Sequence, residues 1–309
     1  MMCLVKRVCP YCFSIEFDVI LDLLIDDFVL LNPTYSIVEI QAMGFNNDQR
    51  FKIVRCQKCG FVYALHALNK ELTHHLYSQV IDTKKALSFR SQKVKTWQLS
   101  IIYLLFSMLD KQSEKQVAFL DFGCGYGEIL HIASACGAVA FGVEIEPGRI
   151  NSLHKQGFFV EDSIDKLVTH APFDLVYCKD VLEHVFNPDQ VIKAIASVTK
   201  PGGFGFFDVP NYSAYMIEKI QKDFRDGKGL PDKDVNPWEH VNYFSENLFR
   251  NMLERHGFNV IAPNSALIRP VVIKNITDSY RLVRKIIGAY IRGKVGTGSL
   301  GTSLFVKRL

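Results

Sequence analysis

A chain of 309 residues, 48% hydrophobic and 22% charged, can fill a large core and suits one large domain or one domain with a small appendage. Its net charge of +4 is too small to argue for nucleic acid as a partner. The longest apolar run, 99–109, is too short to span a bilayer and carries Ser100, Tyr103 and Ser107, so no transmembrane segment is expected.

From the N-terminus, the apolar stretch after Cys12 is broken by Glu16, Asp18, Asp22, Asp26 and Asp27, so it does not read as a signal peptide, and the cytoplasm is the expected compartment. Eight cysteines in such a chain favour metal ligation over disulfides. Cys9-Pro-Tyr-Cys12 and Cys56-Gln-Lys-Cys59 each set two thiols two residues apart. That spacing lets a tight turn aim both sulfurs at one tetrahedral zinc, and two such turns close a four-cysteine site. Gly60 after the second pair suits the sharp fold-back, whereas Phe13 after the first departs from it. Between the pairs lie 43 residues, where compact ribbons use about 15–20. The gap holds strand-like runs at 28–31 and 36–40, and a third at 51–55 leads into the second pair. Residues 1–64 are therefore expected to form a small zinc ribbon with an enlarged hairpin and a structural zinc on Cys9, Cys12, Cys56 and Cys59. The alternative is four buried, inert cysteines; Cys3 is a spare ligand or nothing.

Residues 65–114 read as a helical bridge, with Leu99, Ile102, Leu105, Phe106 and Leu109 at helix spacing. Residues 115–309 read as the catalytic domain, and the alternation of strand and helix from 117 to 209 argues for a parallel sheet covered on both faces. An apolar strand at 117–120 ends in Asp121 and turns through Gly123, Gly125 and Gly127 into a helix. Such a turn lets a ligand approach the backbone closely. The spacing is Gly-x-Gly-x-Gly, not the Gly-x-Gly-x-x-Gly of dinucleotide folds, and Asp121 is placed to face the cationic methionine moiety of a nucleoside ligand. Glu144, twenty-one residues after Gly123, is placed to accept both ribose hydroxyls. Ile145 would lie against the adenine, and Asp162, at the end of the third strand, could accept its amino group. A fourth strand, 173–178, leads into Lys179, and a fifth runs from Phe204 to Val209 after Lys200-Pro-Gly-Gly203.

Taken together, residues 115–262 and a last strand at 303–307 resemble the class I S-adenosylmethionine-dependent methyltransferases, in the branch that includes the ubiquinone O-methyltransferases. The resemblance implies a doubly wound, mostly parallel seven-stranded α/β sheet. It also implies S-adenosylmethionine held by Asp121, Gly123, Gly125, Gly127, Glu144, Ile145, Asp162 and Lys179. Related enzymes often cover the cofactor with the bridge region, where Tyr77 and Arg90 lie, but both read better as plain surface or packing residues. A cysteine-rich ribbon ahead of such a domain recurs in enzymes that modify sugars and natural products.

Methyl transfer from a sulfonium needs an acceptor held in line, water excluded and, for a protonated acceptor, a base. Residues 211–243 are expected to form a lid, with a polar mobile stretch at 219–236 and a return at Trp238, Glu239, His240 and Tyr243. His240 is the candidate base, because histidine titrates near neutrality, with Glu239 or Tyr243 orienting it or binding substrate. The bland alternative is that His240 pins the hinge of the lid. His184, in a Leu-Glu-His element similar to one frequent in this family, reads as a pocket-edge or structural residue. Cys124 and Cys178 read as packing residues.

Residues 269–294 carry seven Lys or Arg against Asp278 and could form a basic amphipathic helix, packed, or touching a membrane or a substrate phosphate. The leading expectation is methylation of a small-molecule substrate, a sugar, nucleotide-sugar or biosynthetic intermediate, and a phosphate on it would suit the basic segment. An RNA or protein methyltransferase that recruits its target through the ribbon is the alternative. Nucleic acid is disfavoured because the ribbon segment is acidic and lacks interleaved basic and aromatic residues. A non-catalytic module that retains the fold is a third reading.

Overall fold

A computed structural model describes residues 4–24, 41, 44–45, 49–76, 96–109, 116–228, 235, 238–262 and 301–309. Cys3, the runs at 28–31 and 36–40, Tyr77, Arg90, the basic segment 269–294 and part of the expected lid lie outside them. The chain divides into two compact units, each assembled from separated segments. The first takes 1–92, 182–191 and 210–252; the second takes 93–181, 192–209 and 253–309.

The second unit is built on a seven-stranded sheet. Its order is Phe258–Ile261, Gly301–Arg308, Thr199–Pro210, Phe173–Lys179, Ala118–Phe122, Val139–Val143 and Phe159–Glu161. Numbered along the chain, the strands run 6-7-5-4-1-2-3. Strands one to five pair in parallel, while the sixth and seventh pair antiparallel. Phe119, Leu175 and Tyr177 alternate with Leu120, Val176 and Cys178, and all six are buried. Both faces are therefore covered, as a parallel sheet requires. The helices Thr96–Met108 and Glu128–Ala135 pack Ile102, Leu105, Leu130 and Ala133 into one core. Leu99, expected on the buried stripe, is 46% exposed; Ile101 and Leu104 are buried there instead. With so few polar residues the helix has no single sharp apolar edge from which its orientation can be read.

The first unit holds a four-stranded antiparallel sheet in the order Asn242–Tyr243, Val62–Ala64, Arg50–Cys56, Phe17–Leu24. Leu21, Leu23, Phe51, Ile53 and Val62 form its apolar face. The helix Ala214–Arg225 lies against that face through Ile217 and Ile220 and is capped by Ser213, whose hydroxyl accepts from the Met216 amide. Residues 219–225, expected to belong to a mobile polar stretch, are thus helical. Lys219, Lys222 and Asp223 share the helix with apolar residues at the i, i+3, i+7 spacing of 217, 220 and 224. In the same core Trp238 meets Phe45 and Phe51 edge-on, with ring centroids 4.5 and 4.4 Å apart.

Candidate functional site

In the second unit the strand order reverses between the first and fourth strands, and ligands of open α/β sheets bind beyond the carboxyl ends of the strands at such a point. Two segments leave there: Asp121–Gly127 from the first strand and Lys179–Val181 from the fourth. The amides of Gly123 and Cys124 both donate to the Val143 carbonyl, at 2.8 and 2.9 Å, tying the loop to the second strand. Gly123 has φ +83°, and a Cβ there would stand 2.3 Å from Val181 Cγ2. Gly127, also at φ +83°, would place a Cβ 2.4 Å from Leu153 Cδ2. These two glycines are demanded by the chain's own packing. Gly125, at φ +56°, completes the turn between them. The helix Glu128–Ala135 then opens on Gly127 with no side-chain cap.

Asp121 is 2% exposed and Glu144 6%. Burial pushes the Asp121 carboxyl well above the ordinary aspartate range, and the negative charges of Glu144 and Glu128 add to the push. Buried carboxylates gathered in this way suit a cationic ligand, and the sulfonium and ammonium of S-adenosylmethionine fit that need. Glu144 is held by its own backbone: Oε1 accepts from the amides of Ile145 and Glu146 at 2.9 and 3.0 Å, and Oε2 lies 3.5 Å from Arg149 Nη1. Ile145 is 49% exposed. Asp162 is exposed and pairs with Lys166 at 2.8 Å. Lys179 Nζ donates to Asp180 at 2.6 Å and to Asp208 at 2.9 Å, and Ser303 Oγ donates to the same Asp208. Although burial works against its charge, Asp208 and Asp180 hold the Lys179 ammonium above the ordinary lysine range. Lys179 therefore anchors the end of the fourth strand to the fifth.

The first unit contains two clusters of ligating side chains among its described residues. In one, the sulfurs of Cys9, Cys12, Cys56 and Cys59 lie within 4.8 Å of one another, with Cys9 to Cys59 and Cys12 to Cys56 each at 3.5 Å. A tetrahedron with Zn–S bonds of about 2.3 Å has edges of about 3.8 Å, so the set fits zinc closely. The two turns match. Phe13 N donates to Cys9 O and Gly60 N to Cys56 O, both at 2.9 Å, with φ +60° at Phe13 and +78° at Gly60. Phe13 thus adopts the left-handed backbone that its side chain had argued against. Burial pushes the Cys9 thiol up to about 11 and Cys59 higher still, so binding of a cation is what would ionise them.

The other cluster joins Glu183, His184 and His240. The His184 and His240 rings stand edge to face with centroids 4.7 Å apart. His184 Nδ1 donates to the Glu239 carbonyl at 2.9 Å, and its Nε2 lies 3.8 Å from Glu183 Oε1. Glu183 is 1% exposed. Glu239 thus orients a histidine, but through its carbonyl, and the histidine is His184. Tyr243 is buried in the apolar core, its ring 4.9 Å from that of Tyr212. Sequence reasoning set His184 aside and passed over Glu183. The Leu-Glu-His element was visible, but nothing in its spacing announces a partner more than fifty residues away.

The methyltransferase-domain family matches residues 72–262. A ubiquinone biosynthesis O-methyltransferase of Colwellia psychrerythraea is 31% identical over 168 residues, which cover 49% of this chain and 65% of that enzyme. Its namesake from Yersinia pestis is 28% identical over 192 residues, 54% of this chain and 76% of that enzyme. The chain therefore spans somewhat less than two thirds of the first relative and about three quarters of the second. A magnesium protoporphyrin IX methyltransferase of Synechocystis PCC 6803 superposes with a TM-score of 0.48 at 12% identity, covering 78% of this chain and 100% of that one.

Proposed function

This chain belongs to the methyltransferase-domain family, with the class I S-adenosylmethionine-dependent fold, and from that premise we propose that it methylates a hydroxyl of a small molecule. The observation that carries the reading is the buried carboxylate pair Asp121 and Glu144 beside a glycine turn at the switch point of the sheet. The bound cofactor supplies an electrophilic methyl group on a sulfonium. Asp121 faces its positive charge, Glu144 accepts the ribose hydroxyls and Ile145 covers the adenine; Asp162 lies at the adenine edge. Gly123, Gly125 and Gly127 keep the turn open to it.

An oxygen acceptor is supported by the names of the two bacterial relatives, both O-methyltransferases of ubiquinone biosynthesis. The substrate proposed here is a biosynthetic intermediate, with a sugar or a nucleotide-sugar as the alternatives. His240 takes the acceptor proton, and His184, fixed by the Glu239 carbonyl and backed by Glu183, holds the neighbouring ring in place. A general base of this kind contributes about 10²–10⁴ in rate. His240→Gln is expected to lower turnover by at least about 100-fold while the affinity for S-adenosylmethionine, read by calorimetry, changes less than about twofold. Equal losses in both quantities, or none in turnover, would remove His240 from the chemistry.

The four cysteines hold one structural zinc in this reading, supported by their separations and matched turns. Four thiolates leave the metal no open position, so it takes no part in the reaction.

A further inference from the structure

We infer that Arg7 is a positioning residue for the proposed chemistry: its guanidinium, carried on the ribbon two residues before Cys9, fixes the loop that bears Glu183 and His184 to the segment that bears His240. The inference rests on the reading of that cluster given above.

Arg7 is 4% exposed, yet the partners of its guanidinium are all neutral. Nη1 donates to the carbonyls of Val241 at 2.6 Å and Ala64 at 3.2 Å. Nη2 donates to the Phe186 carbonyl at 2.8 Å and to Asn242 Oδ1 at 2.6 Å. The Tyr63 and Phe186 rings face the cation at 5.7 and 5.3 Å. Its own amide donates to Leu65 O at 2.8 Å, locking the residue to the ribbon. Burying a charge is costly, and an apolar side chain would fill the same space more cheaply. What the guanidinium provides instead is a rigid fork of donors that meets carbonyls from three segments at once.

Those segments are the ones that carry the cluster. Asn242, fully buried and held by Arg7, turns its amide Nδ2 on the carbonyls of Leu182 at 2.8 Å and Val185 at 2.7 Å. The Val241 and Asn242 amides both donate to Glu183 O, at 2.8 and 3.1 Å. Within 182–186, which is neither helix nor strand, the carbonyls of residues 182, 183, 185 and 186 are thus taken by Arg7 or by 241–242. The loop has no regular hydrogen-bond ladder of its own and depends on these donors for its shape. On this account the ribbon is a scaffold for the reacting groups and not a device for recruiting a macromolecule.

The test compares the full-length protein with Arg7→Met and Arg7→Lys by hydrogen exchange, S-adenosylhomocysteine binding and methyl transfer. For Arg7→Met, exchange at 182–186 and 240–243 should quicken at least tenfold while 118–122 and 173–179 stay unchanged. Affinity for S-adenosylhomocysteine should stay within twofold, and kcat should fall at least tenfold with the KM for S-adenosylmethionine unchanged. Arg7→Lys, which keeps the charge but not the fork, should fall between; if Arg7→Met does not fold, Arg7→Lys is held to the same criteria at about threefold. Unchanged exchange at 182–186 overturns the inference whatever the activity, and so does faster exchange with undiminished kcat. Full transfer by His240→Gln would defeat the underlying reading instead, a result that the exchange pattern does not mimic.

Discussion

Replacing Asp121 with Asn should cost about 100-fold in affinity for S-adenosylmethionine, roughly 2.7 kcal/mol, without destabilising the unliganded protein. The two halves of this expectation have one cause. Asp121 is buried near Glu144 and Glu128, so its ionised form is disfavoured in the folded chain and its pKa lies well above the ordinary value. The folded state therefore holds more protons than the unfolded one between the ordinary aspartate value of about 3.9 and the raised one. Stability falls as pH rises through that window, and at neutral pH the carboxylate is a burden until a cation arrives. Asn, neutral and of the same shape, removes both the burden and the attraction. The melting temperature of the unliganded variant should equal or exceed that of the parent at neutral pH, with the difference vanishing at low pH. In the parent, the affinity for S-adenosylmethionine should weaken as pH falls through the raised pKa. A variant that melts lower and still binds would mean that Asp121 is a structural acid.

Loss of the proposed structural zinc should be the second large effect. A structural zinc contributes about 10–16 kcal/mol in small zinc folds, against a total stability of about 5–15 kcal/mol for an ordinary domain. The sheet of the first unit begins at the second knuckle, where Phe17 pairs with Cys56. Cys56→Ser should abolish zinc binding, measured by elemental analysis against about one metal per chain in the parent. Limited proteolysis should then open residues 4–24 and 49–64 first. The thiols also give the effect a pH dependence. Burial pushes Cys9 up to about 11, so protons compete with the metal, and chelators should strip it faster in acid than in mild base. A metal-free Cys56→Ser protein with an intact, protease-resistant first unit would show the cysteines to be packing residues.

The parts of the sheet that hold the proposed cofactor residues were legible because polar and glycine residues follow each apolar strand. Asp121 and the glycines, Glu144 after Val143, and Lys179 at the close of the fourth strand all mark carboxyl ends. The strand Phe17–Leu24 was hidden by its own acids, Asp18 and Asp22. Asp22 pairs with Arg50 at 2.7 Å and Asp18 accepts from Gln57 at 2.7 Å, both on the exposed side. A bulge between Val19 and Leu21 breaks the two-residue period as well. The return of Asn242–Tyr243 to pair with Val62–Ala64 leaves no local mark at all. The same holds for the meeting of His184 with His240, since long-range pairing is set by topology. Lys179 lies one residue beyond the strand expected at 173–178 and closes the observed one; its two carboxylate partners come from the next residue and the next strand, and only the fold brings Asp208 to it.

The most direct test of the whole account is transfer of labelled methyl from S-adenosylmethionine into fractionated cell extract, with Gly125→Arg as the blank. The account predicts label in the small-molecule fraction, stable to mild base as a methyl ether would be, and none with the blank. Label in RNA or protein, or no transfer by a folded protein that binds the cofactor, would contradict it.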